Sequence, residues 1–531
     1  MNKDLKEKKL NETEEPLDFE SWDKKELINY IKKHVNIKPT VANKNTNKSS
    51  KGKNKKEFDF TKCCYRYIAL KIAYFGWNYQ GFAAQAEESN VSSIEGHLFD
   101  ALKKLKLIQN RKSCHYSLCG RTDKGVSAFS QIVGLYVRSS LKSDPSKGIY
   151  TFEELKNLKK KNIPIGGDSM EIVNDNDNEN ENDNNSKPIS EPFSETFIKA
   201  TEQEMDYVNI LNRILPPDIR ILAWSPIKPS FNARYDCSYR KYHYFFSSQD
   251  LDIELMQKAC KKFEGHHDFR NFCKIDPTKK NKFQRTIYSC SIFKAKNTSE
   301  ITKLPKHQDI SSSTTTTTKH DNHPFDIYVF EIKGMAFLWH QVRCCMAVLF
   351  LIGKHKEDIE IIDQLFNVND EKDIGKPVYD LAPEIPLVLV DTGYPKNTFY
   401  WINDKNTTSN NNPQNCINYI KNMSVLLEIW QYEAIKLSLI SKLLIDQWIF
   451  QTHLNSDHDD DVNPAYHQNF NSILKYIQSY NLDGWYNSKR IQKITVKNDN
   501  TLTNTTNYTP LLKRKKCDTF TERLEKKKQK K

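Results

Sequence analysis

The sequence predicts an α+β fold built as two similar lobes, on three observations. Short apolar or alternating segments that read as strands recur between segments with helical spacing. These group as strand–helix–strand in each half of residues 65–400. The stretches that break the pattern are polar and repetitive, so they interrupt the lobes rather than build them.

In chain order, residues 1–64 are mostly Lys, Asn and Glu and read as a disordered basic arm. Tyr67 to Tyr74 reads as a strand buried on both faces. Ser92 to Leu107 reads as a helix: Ser92 and Glu95 have capping-box spacing, and Ile94, Leu98, Ala101, Leu102 and Leu105 follow a helical period. His115 to Cys119 and Gln131 to Val137 read as strands, which makes the Gly-containing stretch between them a loop. Met205, Val208, Leu211 and Ile214 mark a helix stopped by Pro216-Pro217. This first lobe spans 65–235, with an acidic disordered insertion at about 168–198.

The second lobe spans 236–400. Arg240 to Phe246 alternates as a strand, Ile253 to Phe263 reads as a helix, and Ile327 to Lys333 is a strand leading into an apolar helix after Gly334. Ile359 to Phe366 is a shorter helix and Leu387 to Asp391 a buried strand. A Ser/Thr-rich insertion at about 296–324 is expected to be disordered. Residues 401–531 form an Asn-rich extension with a helix from Met423 to Phe450 and a basic tail. No internal sequence repeat relates the lobes.

Composition narrows the function. The formal net charge is +13, despite the acidic insertion, which favours an anionic partner such as nucleic acid or reflects a solvated Lys-rich surface. The twelve cysteines show no paired CxxC spacing, so neither a metal site nor a disulfide framework is expected. Met1 to Leu10 is too polar for a secretory signal. Met335 to Ile352 approaches the length of a membrane span, but His340, Gln341 and Arg343 lie inside it, so it reads as a buried helix of a soluble intracellular protein with no membrane association.

Three segments could carry chemistry. Gly120-Arg121-Thr122-Asp123-Lys124-Gly125 is a plain turn or a loop presenting a carboxylate. It is not a phosphate-binding P-loop, because the required Gly-Lys-Ser/Thr is absent: Gly125 is followed by Val126. In a strand, Arg240, Tyr242 and Tyr244 share a face, a pattern that suits either a core edge or a splayed nucleotide. Arg343 is the one formally charged side chain between Gly334 and Gly353, so a buried helix obliges it to find a carboxylate, structural or catalytic.

Taken together, the segments resemble the TruA-type tRNA pseudouridine synthases. Gly120-Arg121-Thr122-Asp123-x-Gly125-Val126 looks like that family's signature loop. Tyr74-Phe75-Gly76-Trp77-Asn78-Tyr79-Gln80-Gly81-Phe82 is similar to its opening motif, and Ser93-Ile94-Glu95-Gly96 to the start of its first helix. Leu215-Pro216-Pro217-Asp218-Ile219, Phe231-Asn232-Ala233-Arg234 and Arg240-x-Tyr242-x-Tyr244 follow in order. Phe337-Leu338-Trp339-His340-Gln341-Val342-Arg343 and Pro386-Leu387-Val388-Leu389 complete the series, which covers most of 65–395. Lys124-Gly125-Val126-Ser127-Ala128-Phe129, His267 to Lys274 and Tyr508-Thr509-Pro510-Leu511 look like the eukaryotic branch that modifies tRNA uridines 38 and 39. Bacterial relatives usually carry Ala at the position of Lys124 and His at that of Ser127.

The resemblance implies a pseudouridine-synthase fold, with antiparallel sheets flanked by helices around a basic cleft. It makes Asp123 the essential carboxylate and pairs Arg343 with it. It also implies that Tyr242 stacks on the flipped base, that Arg121 holds the space or phosphate vacated by that base, and that Arg240 and Arg234 touch the RNA backbone. The reaction needs no cofactor and no metal; tRNA is the partner, and a homodimer in cytoplasm and nucleus is expected. Lysines of the tails would add salt-sensitive affinity more than chemistry. The alternatives are the same reaction at other tRNA uridines and a tRNA-binding protein without catalysis.

Overall fold

The computed structural model describes residues 58–84, 92–160, 203–248, 250–275, 282–295, 326–368, 376–402, 420–433, 436 and 508–517. Residues 1–57, both expected insertions and most of the Asn-rich extension lie outside this set. The first half carries β1 (Cys64–Tyr74), α1 (Ile94–Lys104), β2 (Ser117–Leu118), β3 (Ser127–Ser139) and β4 (Ile149–Thr151). α2 (Phe152–Lys160), α3 (Tyr207–Asn212) and β5 (Ile219–Pro226) complete it. The second half carries β6 (Tyr239–Ser247), α4 (Ile253–Lys261), β7 (Gly265–Asp268), β8 (Gln284–Lys294) and β9 (Ile327–Gly334). It ends with α5 (Gln341–Gly353), α6 (Ile361–Phe366) and β10 (Leu387–Gly393).

The strands join into one ten-stranded sheet in the order β4-β1-β3-β10-β6-β9-β8-β7, with β2 on β3 and β5 on β1. It is antiparallel except where β10 meets β3 in parallel, Val388 opposite Ser127 and Leu389 opposite Ala128. The separate sheets expected for two lobes are therefore one continuous sheet. β10 causes this, because its other edge pairs antiparallel with β6. The fold is mixed α+β with a mostly antiparallel sheet.

Two large apolar cores sit on this sheet, beside a smaller one around Tyr67, Ile132 and Phe231. In one, Leu98, Leu102 and Leu211 from α1 and α3 pack on Ile68, Leu70 and Leu135. In the other, Met256, Cys345 and Leu349 from α4 and α5 pack on Tyr244, Phe330 and Ile332. β10 gives Leu387 to the second core and Leu389 to the first, and Tyr242 packs against both. The seam between the cores is thus shared by both through β10 and Tyr242, the kind of platform that can hold reacting groups in register.

Several boundaries differ from the sequence expectation for identifiable reasons. The N-terminal arm ends earlier than expected, with a 3-10 turn at Phe60–Lys62 and β1 beginning at Cys64. α1 is capped by Ser93, whose hydroxyl accepts from Gly96 N–H, so the Ser92/Glu95 box does not form. Buried Glu95 instead accepts from Ala84 N–H and takes a bidentate pair from Arg111. α5 starts six residues later than the apolar run suggests, because 335–340 form a loop whose last residue, His340, has φ +63°. None of the described helices is long and apolar enough to cross a membrane. Residues 420–433 are helical, and residues 437–450 of the expected Met423–Phe450 helix lie outside the described set. Residues 508–517, before the last basic run, are partly structural: Leu511 is fully buried in the second core, and Tyr508 and the Leu511 N–H both bond to Glu357.

Candidate active site

The segment Gly120–Gly125 runs from β2 to β3 and is fixed from both sides. Gln131 on β3 accepts from Gly120 N–H and donates to its carbonyl, at 3.2 and 2.7 Å. The Thr122 hydroxyl meets the Tyr74 phenol at 2.7 Å, and the Thr122 carbonyl accepts from Phe82 N–H. Gly125 N–H donates to the Tyr79 carbonyl. This explains the 74–82 motif: it is the clamp on the loop. At Gly76 a Cβ would stand 2.0 Å from the Val126 carbonyl oxygen, so no side chain fits there. Gly125 adopts φ +77°, which favours glycine.

Asp123 projects from this loop into a cavity of about 480 Å³, within the size range of small-ligand sites. Its side chain is 29% exposed. Trp339 Nε1–H donates to Oδ1 at 3.1 Å, and His340 Nε2 lies 3.5 Å from Oδ2. Burial pushes the His340 imidazole down to about 4, with Arg343 adding to the effect. The imidazole is therefore neutral near pH 7, and its contact with Asp123 is dipolar rather than an ion pair. Burial raises the Asp123 carboxyl above its ordinary range, while Arg343, the Trp339 N–H and Lys274 pull it back. Glu384 pushes in the same direction as burial. The Lys274 ammonium sits 4.5 Å over the Trp339 ring, and the Lys274 backbone N–H donates to the Trp339 carbonyl.

Arg343 has the carboxylate partner that its burial demands, but that partner is Glu384. Nη2 donates to Glu384 Oε2 at 2.9 Å and Nε to the Ala382 carbonyl at 2.6 Å. The direct pair with Asp123 expected from the sequence gives way to this arrangement because α5 begins late. That places Arg343 in its first turn, facing the chain that leads into β10. Arg343 still lines the cavity and acts on Asp123 through space.

Tyr242 also lines the cavity, half-buried on β6, with its ring edge-on to Phe337 at 5.1 Å. Burial pushes its phenol far up, so the group stays protonated at neutral pH and is a donor rather than a resident base. Arg121 and Arg234 are exposed at the cavity wall. Arg240 departs from expectation. It is buried and donates to the carbonyls of Met335, Cys119 and Arg234, so its guanidinium ties three loops together instead of reaching toward RNA backbone. Reading the sequence assigned no role to Trp339, His340, Lys274, Glu384 or Arg285. The first two lie in the 337–343 motif and Lys274 ends the 267–274 motif, which was the available signal.

A single carboxylate among five arginines, in a nucleotide-sized cavity on a continuous mixed sheet, fits the class of pseudouridine synthases. Residues 259–395 match the family model described as tRNA pseudouridine synthase. The chain is 38% identical to the Homo sapiens tRNA pseudouridine(38/39) synthase over 419 residues, which is 78% of this chain and 71% of that protein. It is 34% identical to the Saccharomyces cerevisiae tRNA pseudouridine(38/39) synthase over 398 residues, 71% of this chain and 72% of the relative. A more distant relative, tRNA pseudouridine synthase A of Methanosarcina acetivorans, is 26% identical over 337 residues, covering 64% and 87%. The chain belongs to the tRNA pseudouridine synthase family.

Proposed function

We propose that the protein isomerises uridine to pseudouridine at positions 38 and 39 of tRNA, with Asp123 as the essential carboxylate. The observation that carries the reading is Asp123 itself: a part-buried carboxylate held by the Trp339 N–H in an arginine-lined cavity. The two similarly named eukaryotic relatives support the positions. In the reaction the N1–C1′ bond breaks, the uracil turns, and a C5–C1′ bond forms. One proton leaves C5 and N1 ends protonated, so substrate and product are isomers. Asp123 acts on the sugar or base, or on the proton; both roles require it ionised. Arg343 and Lys274 favour that form, and burial makes the carboxylate more basic when it is reached.

In this reading the target base leaves the stem and stacks on Tyr242, whose protonated phenol donates a hydrogen bond. Arg121 occupies the space or meets the phosphate left behind. The halves on either side of β10 act as two lobes around a basic cleft for RNA, and two copies of the chain hold one tRNA as a homodimer. The basic runs Lys513-Arg514-Lys515-Lys516 and Lys526–Lys531 support a location in both cytoplasm and nucleus.

The test is to incubate the protein with unmodified tRNA and map pseudouridine chemically. Product at 38 and 39 is expected. Product confined to other positions would overturn the target assignment, and binding without any product would leave a tRNA-binding protein.

A further inference from the structure

The cavity wall holds more positive charge than its acidic groups balance. Arg240 and Arg343 have their donors committed to carbonyls and to Glu384. Arg234 and Arg285 line the same wall, and among the described residues neither forms a salt bridge with a carboxylate.

Arg285 is the second residue of β8, fixed opposite His267 of β7. Its Nη1 donates to the carbonyls of Lys282 and Gln284, while its Nε is buried without a hydrogen-bond partner. Arg234 and Arg285 line the same cavity; burial lowers the Arg285 pKa, Cys273 opposes this, and the like charge of Arg234 adds to it. A desolvated cation beside a like charge is unfavourable unless an anion joins them.

Arg234 is presented by a loop built for rigidity. Asn232 Oδ1 accepts from both Arg234 N–H and Tyr235 N–H, Asp236 accepts from Asn232 N–H, and Arg240 holds the Arg234 carbonyl. The backbone is fixed while the side chain reaches outward, 5.7 Å over the ring of Tyr235, which is 70% exposed. An anion here would meet the Arg234 fork and the Arg285 Nη2 on backbone that is already fixed, which keeps the entropic cost of binding low.

We propose that Arg285 and Arg234 form a clamp for one backbone phosphodiester of the RNA adjacent to the nucleotide in the cavity. The clamp positions substrate and does not touch the reacting atoms. This rests on the cavity being the RNA site. Guanidinium groups suit a phosphate because they are fixed, planar donors: the Arg234 fork can address two oxygens, and Arg285 adds its Nη2 beside Nη1, which is held by two carbonyls.

The test pairs protein variants with modified RNA. Arg285→Met should raise KM for unmodified tRNA roughly tenfold or more, the scale of a lost charge-assisted hydrogen bond. kcat should fall by less than KM rises, and Arg285→Lys should recover part of the loss. The slope of log Kd against log salt should fall by about one contact. The second arm keeps the wild-type protein and makes synthetic stem-loops neutralised at one linkage at a time by methylphosphonate. One linkage beside the target uridine should weaken binding to wild type but not weaken Arg285→Met further. Additive losses at every linkage, or an unchanged KM in Arg285→Met while wild type makes pseudouridine, would overturn the clamp. An inactive wild type would instead sink the functional reading beneath it.

Discussion

Replacing Trp339 by Phe isolates one hydrogen bond to the carboxylate. The indole N–H donates to Asp123 Oδ1 at 3.1 Å, and its ring face carries the Lys274 ammonium at 4.5 Å. Phenylalanine keeps an aromatic face for Lys274, smaller than the indole, and removes the donor. A hydrogen bond to a charged group contributes about 1.5–3 kcal/mol. Asp123 keeps 29% of its side-chain exposure, so water can replace part of the lost donor. The lower end, about 1.5 kcal/mol, then applies, and kcat should fall about tenfold. With the donor gone, burial faces less opposition and the Asp123 carboxyl moves further up. Activity that needs the ionised form is lost as pH falls through that pKa, so the acid limb of the rate profile should move to higher pH. The assay is release of tritium from C5-labelled uridine in tRNA under single-turnover conditions across the acid range. An unchanged rate and an unchanged acid limb would refute the placement of Trp339 as a donor to the working carboxylate.

Charges around Asp123 predict shifts of opposite sign. Arg343 lowers the Asp123 pKa and Glu384 raises it, so Arg343→Met should move the acid limb up and Glu384→Gln should move it down. A pH–rate series on both variants checks this, and shifts in the same direction would contradict it. Leu511 is fully buried in the second core although it lies in the basic tail, so Leu511→Ala should destabilise the fold by about 2–4 kcal/mol. Denaturant unfolding measures it, and a loss of tRNA affinity with no loss of stability would restore the view of the tail as a mere charge donor.

Much of the fold was readable where one periodicity dominates. β1, α1, β6 and α4 stand out because their apolar spacing matches a single element buried in a single way. β8 did not, because a bulge between Ile287 and Ser289 breaks the alternation that would have exposed it. β7 is four residues, Gly-His-His-Asp, with nothing apolar to signal it, and β5 begins at Ile219, just past Pro216-Pro217-Asp218, while α3 has already ended at Asn212. The late start of α5 was hidden because apolar residues run unbroken through the loop that delivers Trp339 and His340. At the site, the buried position of Arg343 implied a carboxylate correctly. Which carboxylate was not readable, since Glu384 is distant in sequence and reaches Arg343 only through the chain entering β10. Arg240 shows the converse: its strand face was legible, but three carbonyl acceptors contributed by other loops decide its role.

The central claim is that Asp123 is the carboxylate of the reaction, and Asp123→Asn tests it with the least change in shape. The amide can still accept from Trp339 and leaves the Gly120–Gly125 clamp untouched. The variant should bind unmodified tRNA with near wild-type affinity, yet yield no pseudouridine at positions 38 and 39 by chemical mapping. Pseudouridine formed there at a rate close to wild type would contradict the account.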